Sequence, residues 1–114
     1  MNSYVSRLNE KLFYLVKNGT KTIEMRVLDE KRSQFKVGDI LIFKKRPEEI
    51  ETITTKIVAL HKFPTFKELY AHFDKKCLGY TENEIAKPED MEEFYSKKEQ
   101  NKYGVVGIEI RVLS

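Results

Sequence analysis

From Thr22 to Val27 apolar and polar residues alternate, with Ile23, Met25 and Val27 on one side and Thr22, Glu24 and Arg26 on the other. That is the period of a half-buried strand. The same period returns near the end, where Val106, Ile108, Ile110 and Val112 alternate with Gly107, Glu109 and Arg111 and predict a closing strand. A helical spacing comes first: Leu12, Leu15 and Val16 form one stripe between an Asn9 cap and an Asn18-Gly19 stop, predicting a helix over Glu10 to Lys17. Asp29 can cap a short helical turn through Arg32, and Val37-Gly38-Asp39 turns the chain into the apolar run Ile40 to Phe43. The charged Lys45 to Glu49 segment, with Pro47, marks a hairpin loop before a long strand from Ile50 to His61. Thr65 followed by Glu68, with Phe66, Leu69, Tyr70 and Phe73 as the stripe, predicts a second helix. Asp74 to Lys87 has no clean period and reads as an irregular excursion with a helical turn near Glu82 to Ala86. Pro88 suits the first position of a helix carrying Met91, Phe94 and Tyr95, and Ser96 with Glu99 forms a capping box that restarts a short one.

Strands separated by short helices and a hairpin, without regular βαβ alternation, predict an α+β fold built on a mixed, mostly antiparallel sheet. In a chain this short, curling the sheet toward a barrel with helices outside protects its edges. The 114 residues are 40% hydrophobic, enough for one packed core, and no repeat or linker splits them, so residues 1–114 are expected to form a single domain. No run approaches a membrane span and the N-terminus lacks a secretory layout, so a cytoplasmic protein is expected, with a monomer favoured. Cys77 stands alone beside only His61 and His72, which argues against a disulfide, a metal or another cofactor.

Charge sharpens the picture only locally. The 21 Lys and Arg against 18 Asp and Glu leave a net +3, which excludes a protein that grips nucleic acid by overall charge. Basic residues do cluster at Lys31-Arg32, at Lys44-Lys45-Arg46 and at Lys75-Lys76, where the ordinary reading is a solvated face. The segment after the first helix carries more. Period two sends Glu24 and Arg26 to one face, and Lys21 joins them only if it sits in the turn before regular strand geometry begins. Arg26 then offers a planar donor fork, Glu24 an acceptor for a base, and Lys21 a charge or a base. The same pair also suits an ordinary surface ion pair.

The pattern Gly19-x-Lys21-x-x-Glu24-x-Arg26, followed by Asp29-Glu30-Lys31-Arg32 and Lys36-Val37-Gly38-Asp39, resembles the signature of the ASCH family. The similarity continues through Leu60-His61-Lys62, Phe66-x-Glu68-Leu69, Tyr95-Ser96 and Tyr103 to Ile110, and is strongest to small stand-alone bacterial members. The resemblance implies a PUA-like β-barrel with flanking helices and a cleft where Lys21, Glu24 and Arg26 face RNA or a nucleoside. Some relatives are hydrolases. One group cleaves the acetyl amide of acetylated cytidine, and another member has been credited with ribonuclease activity. In the amidohydrolase the motif lysine works with a threonine where this chain has Glu24, and no distal carboxylate among Glu82, Glu84, Glu89 and Asp90 stands out. Thr22 is the neighbour of Lys21, but in an extended strand adjacent side chains point to opposite faces, which turns its hydroxyl in another direction. A basic Lys21 would also need its pKa pulled down from about 10.4, which Glu24 opposes.

Among aromatic residues, Tyr80, Tyr95 and Tyr103 could stack on bases, Tyr103 best placed before the last strand. The expected function is therefore an RNA or modified-nucleoside binding domain. Lys21 and Glu24 are its candidate catalytic or charge-bearing pair, with Thr22, Arg26, Arg32, Lys45, Arg46 and Tyr103 as ligand contacts. The alternatives are an acetylcytidine-type amidohydrolase or ribonuclease, and a protein-interaction module in transcription or translation control. On this reading, loss of Lys21 or Arg26 weakens binding and barely changes thermal stability.

Overall fold

The computed structural model describes residues 1–114. Five strands, β1 (Ser3–Leu8), β2 (Ile23–Val27), β3 (Ile40–Lys45), β4 (Thr52–Phe63) and β5 (Val105–Val112), form one sheet in the order β1-β3-β4-β5-β2. The β1–β3 pair is parallel and the others are antiparallel. This is the expected α+β arrangement, a sheet curled into a half-barrel with helices flanking it. The helices are α1 (Glu10–Lys17), α2 (Phe66–His72) and α3 (Lys97–Tyr103).

The caps fall where the sequence placed them. Asn9 accepts the Leu12 amide at 2.9 Å, and both Thr65 with Glu68 and Ser96 with Glu99 close capping boxes. Asp29 accepts the Arg32 amide at 3.0 Å and starts a 3-10 turn over Arg32–Gln34. Four expectations shift. The long strand starts two residues later, at Thr52, because the loop after Pro47 extends through the exposed Ile50. Pro88–Glu93 winds as a 3-10 rather than an α-helix, and Glu82 to Ala86 holds a simple turn. Phe13 and Val16, rather than Leu12 and Leu15, are the deepest residues of α1.

The N-terminal strand is the larger departure, because nothing in Ser3-Tyr4-Val5-Ser6-Arg7-Leu8 alternates cleanly. β1 is held by non-local partners: it pairs with β3 from Ser3 opposite Ile40 to Leu8 opposite Lys45, and the buried Asp39 accepts the Asn2 amide at 3.0 Å. Local periodicity cannot report such a contact.

Apolar residues cover both faces of the sheet. Inside the curl, Leu8, Phe13, Val16, Phe35, Leu41, Phe43, Ile53, Ile57, Val106, Ile108 and Ile110 form one cluster closed by α1. Outside it, Ile23, Met25, Val27 and Val105 pack against Phe66, Leu69, Leu78 and Met91. β2 is thus buried on both faces rather than half-buried, and Glu24 on its inner face is only 4% exposed. A carboxylate taken this far from water needs charged partners, since burying it alone is costly. The two terminal strands of the sheet, β1 and β2, are bridged by the Arg26 side chain, whose Nη2 donates to the Ser6 hydroxyl.

Candidate functional site

The partners of Glu24 come from its own segment. Arg26, two residues along the same face, donates from Nε at 3.1 Å and from Nη2 at 2.7 Å to Oε2. Lys21 lies in the turn before β2, as the spacing required, and its Nζ stands 3.7 Å from Oε1. That turn is fixed by the excursion after α2, because the Cys77 carbonyl accepts both the Thr22 and the Ile23 amides at 3.0 Å. The Lys21 ammonium closes the same contact by donating to the Ile23 carbonyl at 2.6 Å and the Leu78 carbonyl at 3.0 Å.

Gly79 makes room for this. It has a φ of +104°, and a Cβ there would stand 2.9 Å from Leu12 Cδ2 and 3.1 Å from Lys21 Cδ. A glycine is required both by the left-handed backbone and by the close approach.

Lys21 is 3% exposed, so it is a buried support as well as a member of the cluster. This overturns the expectation that its loss leaves stability unchanged, because removal strands Glu24 and two backbone carbonyls in the interior. Burial pulls the Lys21 pKa below its ordinary value against the pull of Glu24, and Arg26 adds to the lowering. Burial pushes Glu24 up, but Arg26 and then Lys21 outweigh it and hold the carboxyl below the ordinary carboxylate range. Glu24 in turn raises Arg26. Geometry decides the state of the lysine: its nitrogen faces three oxygens, and a neutral amine would aim a lone pair at one of them.

A cavity of about 300 Å³ opens over this cluster, between β1 and β2. Lys21, Glu24, Arg26 and Arg46 all line it. Leu8, Leu12, Met25, Leu78 and Met91 supply the apolar wall, while Arg7, Phe94 and Tyr95 complete the rim. Arg46 is exposed and takes part in no ion pair, whereas Arg7 is tied to Glu49 at 2.8 Å.

The other candidates are not brought in. Arg32 is bound to Asp29 at 3.0 Å and borders a crevice of only about 10 Å³ behind Arg26, room for one water at most. Lys45 turns to α1, where it meets the Tyr14 hydroxyl at 3.4 Å and Glu51 at 3.5 Å. Thr22 serves the backbone ladder, its carbonyl accepting the Ile110 amide, and does not reach the cavity. Tyr103 stands at the end of α3 beneath Lys102, away from the cavity, and Tyr80 is held by Tyr70 and Asp90, each at 2.8 Å.

Of the three tyrosines weighed for stacking, Tyr95 is the one at the cavity, and Phe94 beside it is 64% exposed. The adjacent aromatic pair Phe94-Tyr95 was available in the sequence, but its exposure was not. Arg7 was not legible, because its strand was not.

The comparisons with known proteins agree with this fold. Two solved structures share the fold along nearly the whole chain. The crystal structure of hypothetical protein PH0355, from Pyrococcus, is 32% identical, covers 99% of this chain and 100% of its own, and has a TM-score of 0.76. The solution NMR structure of protein PF0455 from Pyrococcus furiosus is 28% identical, covers 98% of each chain, and has a TM-score of 0.69. No curated protein matches. The ASCH domain model matches residues 7–114, which takes in every strand but the first few residues of β1, and the chain therefore belongs to the ASCH domain family.

Proposed function

We propose that this protein is an RNA or nucleoside binding domain, and that its site is the cavity over Lys21, Glu24 and Arg26. Support comes from one observation above all: a buried charge cluster, anchored by hydrogen bonds from Lys21 to two carbonyls and from Arg26 to Glu24, forms the floor of a cavity that also presents an unpaired arginine and two aromatic rings. Arranged so, the cavity offers fixed donors and acceptors to a base, a ring to stack on, and a cation for phosphate. A cluster of this kind costs stability unless every member is paired, and here every buried side-chain nitrogen and oxygen is. No helix is long and apolar enough to cross a membrane.

A hydrolytic role for Lys21 is less well supported. General-base work needs a substantially neutral amine, and three surrounding oxygens favour the ammonium. A charged Lys21 suits the holding of Glu24 and the electrostatics of a bound ligand.

Titration with short single-stranded RNAs and with a panel of nucleosides, for the wild type and Arg26→Ala, tests the reading. Binding by the wild type that weakens at least about tenfold in a folded Arg26→Ala variant is expected. No binding of any RNA or nucleoside by the wild type would refute it.

A further inference from the structure

We infer that the cavity takes a single nucleotide, with the amino-bearing edge of its base against Glu24 and the open edge of β2 at Met25, and its phosphate on Arg46. The inference rests on the reading of the cavity as a nucleic-acid or nucleoside site. It goes further by assigning each part of the ligand a place and by selecting among bases.

Backbone parity decides which groups of the two edge strands face the cavity. The Thr22 carbonyl accepts the Ile110 amide and the Leu28 amide donates to the Gly104 carbonyl, both at 2.9 Å, so even-numbered residues of β2 spend their backbone groups on β5. Met25, opposite Gly107, turns its N–H and C=O the other way, and β2 has no strand on that side. β1 repeats the pattern. The Asn2 carbonyl accepts the Ile40 amide at 2.9 Å and the Leu8 carbonyl the Arg46 amide at 2.8 Å, so Arg7 turns its backbone away from β3. Met25 and Arg7 both line the cavity, which is therefore bounded by two sheet edges whose outward backbone groups have no strand partner.

Side chains add direction. Both Arg26 bonds fall on Glu24 Oε2, while the cation nearest Oε1 is Lys21, at 3.7 Å. Arg26 spends Nε and Nη2 on Glu24 and Ser6, and its guanidinium is also bonded to the Tyr95 hydroxyl at the cavity. The cavity thus presents two acceptors, Glu24 Oε1 and the Met25 carbonyl, beside one donor, the Tyr95 hydroxyl, whose oxygen accepts from Arg26 and whose O–H is left to donate. An exocyclic amino group next to a ring nitrogen matches that set, as adenine and cytosine carry it. Hypoxanthine and uracil would set a keto oxygen against a carboxylate.

Size and charge fix the remainder of the ligand. A volume of about 300 Å³ is at the lower end for small-molecule sites and suits one nucleotide rather than a run of them. Of the four cations lining the cavity, Lys21 and Arg26 are committed to Glu24 and Arg7 to Glu49, which leaves Arg46 for an anion. Phe94 and Tyr95 close the opposite side as a stacking wall.

Calorimetric titration of the full chain with adenosine against inosine monophosphate, and cytidine against uridine monophosphate, tests the base preference. Parallel titrations with the four nucleosides, and with Arg46→Ala, test the phosphate. The amino-bearing member of each pair should bind about tenfold tighter or more. The monophosphates should exceed their nucleosides in the wild type, and that gain should disappear in Arg46→Ala while the amino preference persists. Equal or reversed preference within the pairs, or a phosphate gain that survives Arg46→Ala, overturns the inference. Binding of single-stranded RNA without binding of any mononucleotide overturns it too but leaves the broader reading standing, whereas failure of RNA, nucleosides and nucleotides alike removes both.

Discussion

Two lysine–glutamate clusters stand beside α1, and the tighter one is the less consequential. On the surface, Lys17 meets Glu51 at 2.9 Å, and Lys45 and the Tyr14 hydroxyl join at 3.5 and 3.2 Å. In the interior, Lys21 and Glu24 are 3.7 Å apart. Water and salt screen the first group, so its short contact adds little. The second has left water altogether, and each member depends on the others to remain charged. Distance alone would rank the two wrongly; burial ranks them correctly, and it also explains why only the second forms the floor of a cavity.

The comparison breaks most readily at Lys21. Lys21→Ala should cost about 3–5 kcal/mol in a denaturant melt, because it leaves a buried carboxylate and two carbonyls short of a partner. A loss too small to measure would mean the cluster is solvated after all. Gly79→Ala should cost less, about 1–3 kcal/mol, since a methyl group there meets Leu12 and the Lys21 stem in a left-handed backbone; a neutral result would show that the excursion can move off Lys21 freely.

Acid provides a finer test. The Glu24 carboxyl is held below its ordinary value of 4.5, so the unfolded chain binds its proton first as the pH falls. Its contribution is complete above about pH 4.5 and is lost as the pH falls through the lower folded value. Urea midpoints should therefore decline more steeply below that point in the wild type than in Glu24→Gln, and parallel curves would contradict the cluster's electrostatics. At the small end, Lys45→Ala should change neither the melt nor RNA affinity measurably. A clear drop in affinity would move the site to the α1 face.

How much of this was legible depended on whether the signal was local. The Asn9, Thr65 and Ser96 caps and the alternation of β2 are local, and the structure carries each of them. The pairing of Lys21 with Glu24 was visible as a condition on where the strand begins, and β2 begins at Ile23. Burial of Glu24 was not visible, because it depends on β1, the strand partner of β3, whose pairing is itself non-local. Neighbouring basic residues separate for the same reason. Lys45 and Arg46 are consecutive, yet one turns to Glu51 and the other to the cavity, while Lys75 folds its own loop by donating to the Glu82 and Glu84 carbonyls. Tyr95 and Tyr103 looked equivalent as aromatic residues near the last strand, and only the packing of the segment after Pro88 tells them apart.

The site itself can be mapped amide by amide with isotope-labelled protein titrated with single-stranded RNA. The account predicts that the largest shifts fall on Arg7, Met25, Arg46 and Tyr95, around the cavity between the two open strand edges. Shifts confined to α1 and Glu51, or to the outer face of β4, would contradict it.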